Sequence, residues 1–166
     1  MQILCNTISR RLRPQGEEAR NIIMSVIQSC AGIRYSELAR KTSLAHGALS
    51  HHIKMLQRQR RIRVRRDRGS TRFFPESYDD GLCNAIASAS HPTTVAIMAL
   101  LIRHKCNYRQ IKSTIMKSGS TVCEHLKRLH SAGLVSRKRT DRILVYGIID
   151  ADKAIMIMNR RYGNWQ

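Results

Sequence analysis

Apolar residues recur along this chain in a pattern that changes period twice and then starts again. Ala19, Ile22, Ile23, Val26, Ile27 and Cys30 follow helical spacing. Gly32 is placed to end that helix. Ser36 suits the N-cap of a short helix, Glu37 to Lys41, with Leu38 inward. After a turn at Thr42 to Leu44, a third helix is expected from Ala45 to Gln59. Its inward face is Leu49, Ile53 and Leu56, with Ala48 and His52 beside it. The period then falls to two in Ile62 to Arg65 and Thr71 to Phe74, around the turn-forming stretch Arg66-Asp67-Arg68-Gly69-Ser70.

The same order returns downstream. A helix is expected at Thr93 to Arg103, with Val95, Met98, Ala99 and Ile102 inward. Others follow at Arg109 to Met116 and at Ser118 to Ala132, the last with Val122, Leu126 and Leu129 inward and Gly133 as its stop. Strands are expected at Val135 to Arg139 and Ile143 to Ile148, turning at Thr140-Asp141-Arg142. A shift of 73 positions places Tyr35 on Tyr108, His52 on His125, Lys54 on Lys127 and Leu56 on Leu129 without a gap. The chain therefore reads as two copies of one unit. The expected organisation is an N-terminal extension (1–14), a first unit (15–76), a connecting helix (77–90), a second unit (91–150), and a C-terminal helix and tail (151–166).

Helix, helix, helix and hairpin is the winged helix-turn-helix order, so the fold class is mainly α with small β-hairpin wings, a tandem winged helix-turn-helix. Two stretches carry a family likeness. His51-His52-Ile53-Lys54-Met55-Leu56 followed by Arg63 to Pro75 is one, and Glu124 to Val135 is the other. They resemble the recognition helix and wing of archaeal and bacterial winged-helix transcriptional regulators. The chain is most similar to the archaeal group with two such units in one chain, related to the ArsR and MarR superfamily. The resemblance spans about residues 17–150 and implies a transcriptional regulator. It defines the fold better than the target, because winged helices also serve as chromatin proteins and as subunits of larger complexes.

Charge narrows the partner. The 166 residues include 30 Lys and Arg against 11 Asp and Glu, a net +19, on a chain 42% hydrophobic. That combination is a folded polycation, which points to a polyanion such as double-stranded DNA. Each unit carries +8: residues 17–76 hold 13 basic and 5 acidic side chains, residues 91–150 hold 11 and 3. Eight arginines crowd the fifteen positions 58–72, opposed within the run only by Asp67.

In a winged helix the third helix enters the major groove, and the wing follows the backbone or reaches the minor groove. The expected DNA contacts in the first unit are His46, Ser50, His51, Lys54, Arg58, Arg63, Arg65, Arg66, Arg68 and Arg72, with Gly47 also facing out. In the second they are Ser120, Thr121, Lys127, Arg128, Arg137, Lys138, Arg139 and Arg142. Glu124 lies on the same face, repelled by phosphates but able to accept from a cytosine amino group. The outward positions of the two third helices differ, so two different sequences would be read if both enter grooves. Ala45 stands where the second unit has the better cap Ser118, and Arg60 where it has Gly133.

Other chemistry has little footing. His46, His51, His52, Cys123 and His125 lack a recognised metal-ligand spacing, and His52 and His125 read as packing residues. No phosphate loop, nucleophile elbow or carboxylate pair occurs, so neither catalysis, a cofactor nor a small-molecule substrate is expected. Five cysteines without a C-x-x-C pair suit reduced thiols. The apolar run Val95 to Ile102 is too short for a membrane span, so a cytoplasmic, nucleoid-associated protein is expected. The unusually continuous apolar stretch Ala154 to Met158, in a helix expected from Asp150 to Arg161, suits either packing onto the second unit or a homodimer interface. Arg10, Arg11 and Arg13 suggest an extra strand or a basic arm, and Trp165 an exposed terminal aromatic or part of that interface. Besides a regulator, a chromatin-like binder with little sequence preference and a winged-helix interaction subunit fit these features.

Overall fold

The computed structural model describes residues 16–67 and 70–162. The N-terminal segment with Arg10, Arg11 and Arg13, the wing residues Arg68 and Gly69, and Trp165 lie outside the described residues.

The first unit comprises α1 (Glu17–Ser29), β1 (Ile33–Arg34), α2 (Tyr35–Thr42), α3 (His46–Arg58), β2 (Ile62–Asp67) and β3 (Ser70–Pro75). A connecting helix α4 (Asp80–Ser88) follows. The second unit comprises α5 (Pro92–Arg103), β4 (Cys106–Asn107), α6 (Tyr108–Ile115), α7 (Gly119–Ser131), β5 (Val135–Thr140) and β6 (Ile143–Ile148), and α8 (Ala151–Tyr162) closes the chain. Every element from β1 to β3 recurs 73 positions later with the same length. The left-handed residues repeat too: Ser43 with Met116, and Arg60 (φ 53°) with Gly133 (φ 67°).

Each wing is a three-stranded antiparallel sheet, ordered β1-β3-β2 and β4-β6-β5. The extra strands β1 and β4 are two residues long, too short to show an alternating pattern, and the sequence reading misses them. Pairing of Ile33 with Phe73 and Arg34 with Arg72 ties the wing to the helices. It also sets the start of the second helix. Glu37 accepts a bond from the Arg34 backbone N–H, so α2 begins at Tyr35 rather than after Ser36.

Two further expectations change. The first helix stops at Ser29, where Cys30 donates its N–H to the Val26 carbonyl, so Gly32 is not its end. Gly32 instead adopts φ +79° where a Cβ would lie 2.9 Å from Ile86 and 3.1 Å from Phe74. Glycine is needed there for both reasons. In α5, Ile97 and Leu101 are buried along with Val95 and Met98, whereas Ala99 and Ile102 are only half-buried. The helix is covered on several sides, packing on α6, α7, β6 and α8. On α3, of the two residues expected beside the inward face, His52 is half-buried and Ala48 is exposed.

The core divides unevenly. Ile23, Ile27, Leu38, Leu49, Ile53, Leu56 and Phe73 fill the first unit. The larger cluster joins α4, the second unit and α8, and it also takes in Ala31 and Phe74 of the first unit. Ala154, Ile157 and Met158 of α8 are buried in it, so the apolar stretch of the C-terminal helix is covered within the chain. Arg160 also places its guanidinium 5.3 Å from the centre of the Tyr78 ring. Among the described residues no single helix is long and apolar enough to cross a membrane.

Truncating Phe74 to Ala should cost about 3–5 kcal/mol of stability, read as a lower urea midpoint, because it empties the joint between the first unit and α4. Arg60→Gly should raise stability by up to about 1 kcal/mol, since it removes a left-handed strain that exceeds the added backbone freedom of glycine.

Candidate nucleic-acid interface

One tyrosine in each unit ties the second helix to the start of the third. The Tyr35 hydroxyl donates to the His46 carbonyl oxygen at 3.1 Å, and the Tyr108 hydroxyl to that of Gly119 at 2.9 Å. Each bond ties the second helix to the first turn of the third. The Tyr35 ring also stacks on the His46 imidazole, 5.7 Å between centres.

On α3 the exposed side chains include His46, Ala48, His51, Lys54, Gln57 and Arg58, beside Gly47, with Ser50 half-buried. Its N-terminus has no side-chain cap and no acidic residue in the first turn. On α7, Ser118 supplies the cap by accepting the Thr121 N–H at 3.3 Å, and its hydroxyl lies 2.7 Å from that of Thr121. That bond draws Thr121 to a half-buried flank. Ser120, Cys123, Glu124 and Lys127 form the exposed row, with Arg128 half-buried beside it. Cys123 is absent from the sequence-based contact set, because only the seating of α7 shows which neighbour of the apolar row points out.

The two wings differ sharply. In the first, Arg63 reaches Asp80 of α4 at 2.8 Å and Glu76 at 3.5 Å. Arg65 lies 3.6 Å from the Asp80 carboxylate, donates to the Asp80 carbonyl at 3.2 Å and bonds to the Asn84 side-chain oxygen. Arg61 lies 3.7 Å from Glu17. The arginine run therefore meets acids from other elements, which counting along the run could not reveal. Arg72 needs a firmer correction. It is 4% exposed and donates to the Gly32 carbonyl at 2.9 Å, so it belongs to the interior and not to the DNA-facing set. Arg66 is exposed.

In the second wing Arg137, Lys138, Arg139 and Arg142 are all exposed, and none of them pairs with a carboxylate among the described residues. A cleft of about 350 Å³ runs between this wing and α7, lined by Cys123, Lys127, His130, Arg137 and Tyr146. His130 places Nδ1 2.9 Å from the Val135 carbonyl oxygen, bridging helix and strand. A second groove, about 420 Å³, lies between α4 and α7 and is lined by Asn84, Ser88, Glu124, Lys127 and Arg128 among others. Lys127 thus borders both depressions.

The chain carries two helix-turn-helix domains in tandem. A family model described as an N-terminal HTH domain matches residues 17–84, and one described as bacterial regulatory protein, arsR family, matches residues 91–137. That domain content is that of a DNA-binding transcriptional regulator. Among solved structures, part of the chain is similar to Rv0081 of M. tuberculosis, with 24% identity over 42% of this chain and 71% of that one and a TM-score of 0.40. HlyU from Vibrio cholerae N16961 shows 19% identity over 51% of this chain and 94% of its own, TM-score 0.45. The homodimeric winged helix-turn-helix DNA-binding domain of Mb0332 from Mycobacterium bovis shows 22% identity over 47% and 72%, TM-score 0.44. No curated protein matches the chain.

Among the described residues no group of three or more His, Cys, Asp or Glu could hold a metal. His46 and His51 stand exposed on α3, whereas His125 is buried and stacks on His91, 4.6 Å between ring centres. Burial, then His91 and Arg128, hold the His125 imidazole below its ordinary range, against a smaller opposing pull from Glu124. Burial, His51 and Arg20 lower His52 likewise. An unfolded imidazole titrates near about 6.5. The unfolded chain therefore takes up protons first as pH falls, and the stability carried by the neutral rings is lost on the acid side. Urea midpoints should drop between about pH 7.5 and about pH 5, and the drop should be shallower in His125→Asn.

Proposed function

We propose that the tandem grips double-stranded DNA chiefly through its second unit, with α7 in the major groove and the β5–β6 wing along the backbone or in the minor groove. The observation that carries this reading is the contrast between the wings. Arg63 and Arg65 of the first wing are held by Asp80, Glu76 and Asn84, whereas the four cations of the second wing meet no carboxylate among the described residues. An unpaired cation next to a recognition helix gives up no internal bond when it meets a phosphate. The first unit adds the exposed Lys54, Arg58 and Arg66, and α3 offers small side chains for close approach.

Ser120, Cys123, Glu124 and Lys127 face the bases in this reading, with Thr121 and Arg128 at the flank. His46, Ser50 and His51 take the equivalent place on α3. Because their outward side chains differ, the two recognition helices in one chain read different bases. A homodimer of this chain would use a face other than the buried residues of α8, which are spent inside the chain.

The spread of cations over both units favours a second reading, a chromatin-like binder with little sequence preference. The ratio of specific to nonspecific affinity at fixed salt separates the two. For either reading, Arg137→Ala with Arg139→Ala should weaken binding to every duplex. The slope of log affinity against log salt should flatten by about 0.9 for each phosphate that is no longer neutralised. Arg63→Ala with Arg65→Ala should leave that slope nearly unchanged. Fluorescence anisotropy across a salt series checks both, and an equal decrease in the two pairs would overturn the assignment to the second unit.

A further inference from the structure

The tip of the second wing is apolar where the tip of the first is polar. Ile143 and Leu144 begin β6 and are 53% and 38% exposed. Their counterparts 73 positions earlier are Ser70 and Thr71. The two hairpins have the same strand lengths and the same register, so these residues occupy equivalent strand positions. Successive strand residues point to opposite faces of a sheet. Both keep apolar surface in solvent, so each face of the hairpin tip presents some, beside the start of α6. The turn is tight, with Asp141 (φ 46°) and Arg142 (φ 68°) both left-handed. Around it the hairpin holds four cations and the single carboxylate of Asp141. Arg109 and Arg142 border a cleft of about 420 Å³ that Ile143 and Leu144 also line.

We propose that Ile143 and Leu144 are a minor-groove wedge, seated between the sugar walls of the duplex while Arg109 and Arg142 meet the phosphates at its rim. This rests on the DNA-binding reading above and adds to it the residues that enter the groove. The argument is one of complementarity. A flat apolar partner covers one face of a strand, whereas this tip is apolar on both. The minor groove is a slot about 6 Å wide with anionic edges. Its walls are deoxyribose, and apolar side chains there can unstack and kink the duplex. A net charge of +19 opposes seating a second copy of the chain on this tip.

The test replaces the pair with the first unit's own residues, Ile143→Ser and Leu144→Thr, in the full chain. Both positions are exposed, so the thermal midpoint should hold. Affinity for an A·T-rich duplex should fall about tenfold, from the apolar area no longer buried. The slope against salt should stay the same, because every phosphate keeps its cation, whereas Arg142→Ala should lower it by about 0.9. Displacement of a minor-groove dye, complete with the unaltered chain, should vanish in the double variant. Equal affinity and equal dye displacement by the double variant would overturn the wedge while leaving DNA binding intact. So would a wild-type dimer, seen by sedimentation, that the double variant abolishes, since the tip would then join copies of the chain. An unaltered chain that fails to bind any duplex at low salt would instead overturn the DNA-binding reading beneath it.

Discussion

Strand β3 is buried on both faces, and the rest of the molecule hangs from that fact. Phe73 points into the first unit's core and Phe74, one residue on, into the core shared by α4 and the second unit. Alternation along a strand makes the two directions opposite. One short strand therefore closes the first unit and glues it to the second. Gly32 allows the close approach of Phe74 and Ile86, and Arg72 is drawn inward beside it to hold the Gly32 carbonyl. In the second unit the positions of Phe73 and Phe74 hold Tyr146 and Gly147, and Gly147 lies where a Cβ would meet Lys105 at 3.1 Å. Among the described residues, strand β6 thus makes no comparable joint.

That joint explains why two units of equal charge differ as surfaces. Docking α4 against the first unit brings Asp80 and Asn84 to the first wing, where with Glu76 at the end of β3 they occupy Arg63 and Arg65. Exposed ion pairs of this kind add little stability, on the order of 1 kcal/mol or less each. Their larger effect is on availability, since an arginine already facing a carboxylate gains less from a phosphate. The second wing meets no such acids among the described residues and keeps its cations in solvent. The tyrosine bonds at Tyr35 and Tyr108 meanwhile tie both third helices to their second helices in the same way, so the units share a geometry and differ in what they present.

The repeat made most of this fold legible in advance. Leu49, Ile53 and Leu56, matched by Val122, Leu126 and Leu129, marked the buried face of both third helices, and the wings followed from a change of period. What stayed hidden was of two kinds. Strands β1 and β4 are too short to carry a periodic signal. The fates of Arg63, Arg65, Arg72 and Cys123 depended on residues far off in sequence or on the exact rotation of a helix, neither of which a local pattern encodes. Ser36 and Gly32 differ from expectation for a related reason: each was assigned by local capping preference, and tertiary packing outweighed it.

The sequence by itself determined the duplication, the helix-turn-helix order, the capped start of α7 at Ser118 and the excess of positive charge. These follow from spacing, capping chemistry and composition, which act within a turn or two of chain. Only the tertiary structure decided which cations remain available and where the apolar stretch of α8 is spent. It alone left Ile143 and Leu144 partly exposed at the tip of the second wing. Charge pairing and burial are settled between elements that the chain brings together from a distance, and a basic or apolar residue reads the same along the sequence whichever partner it meets.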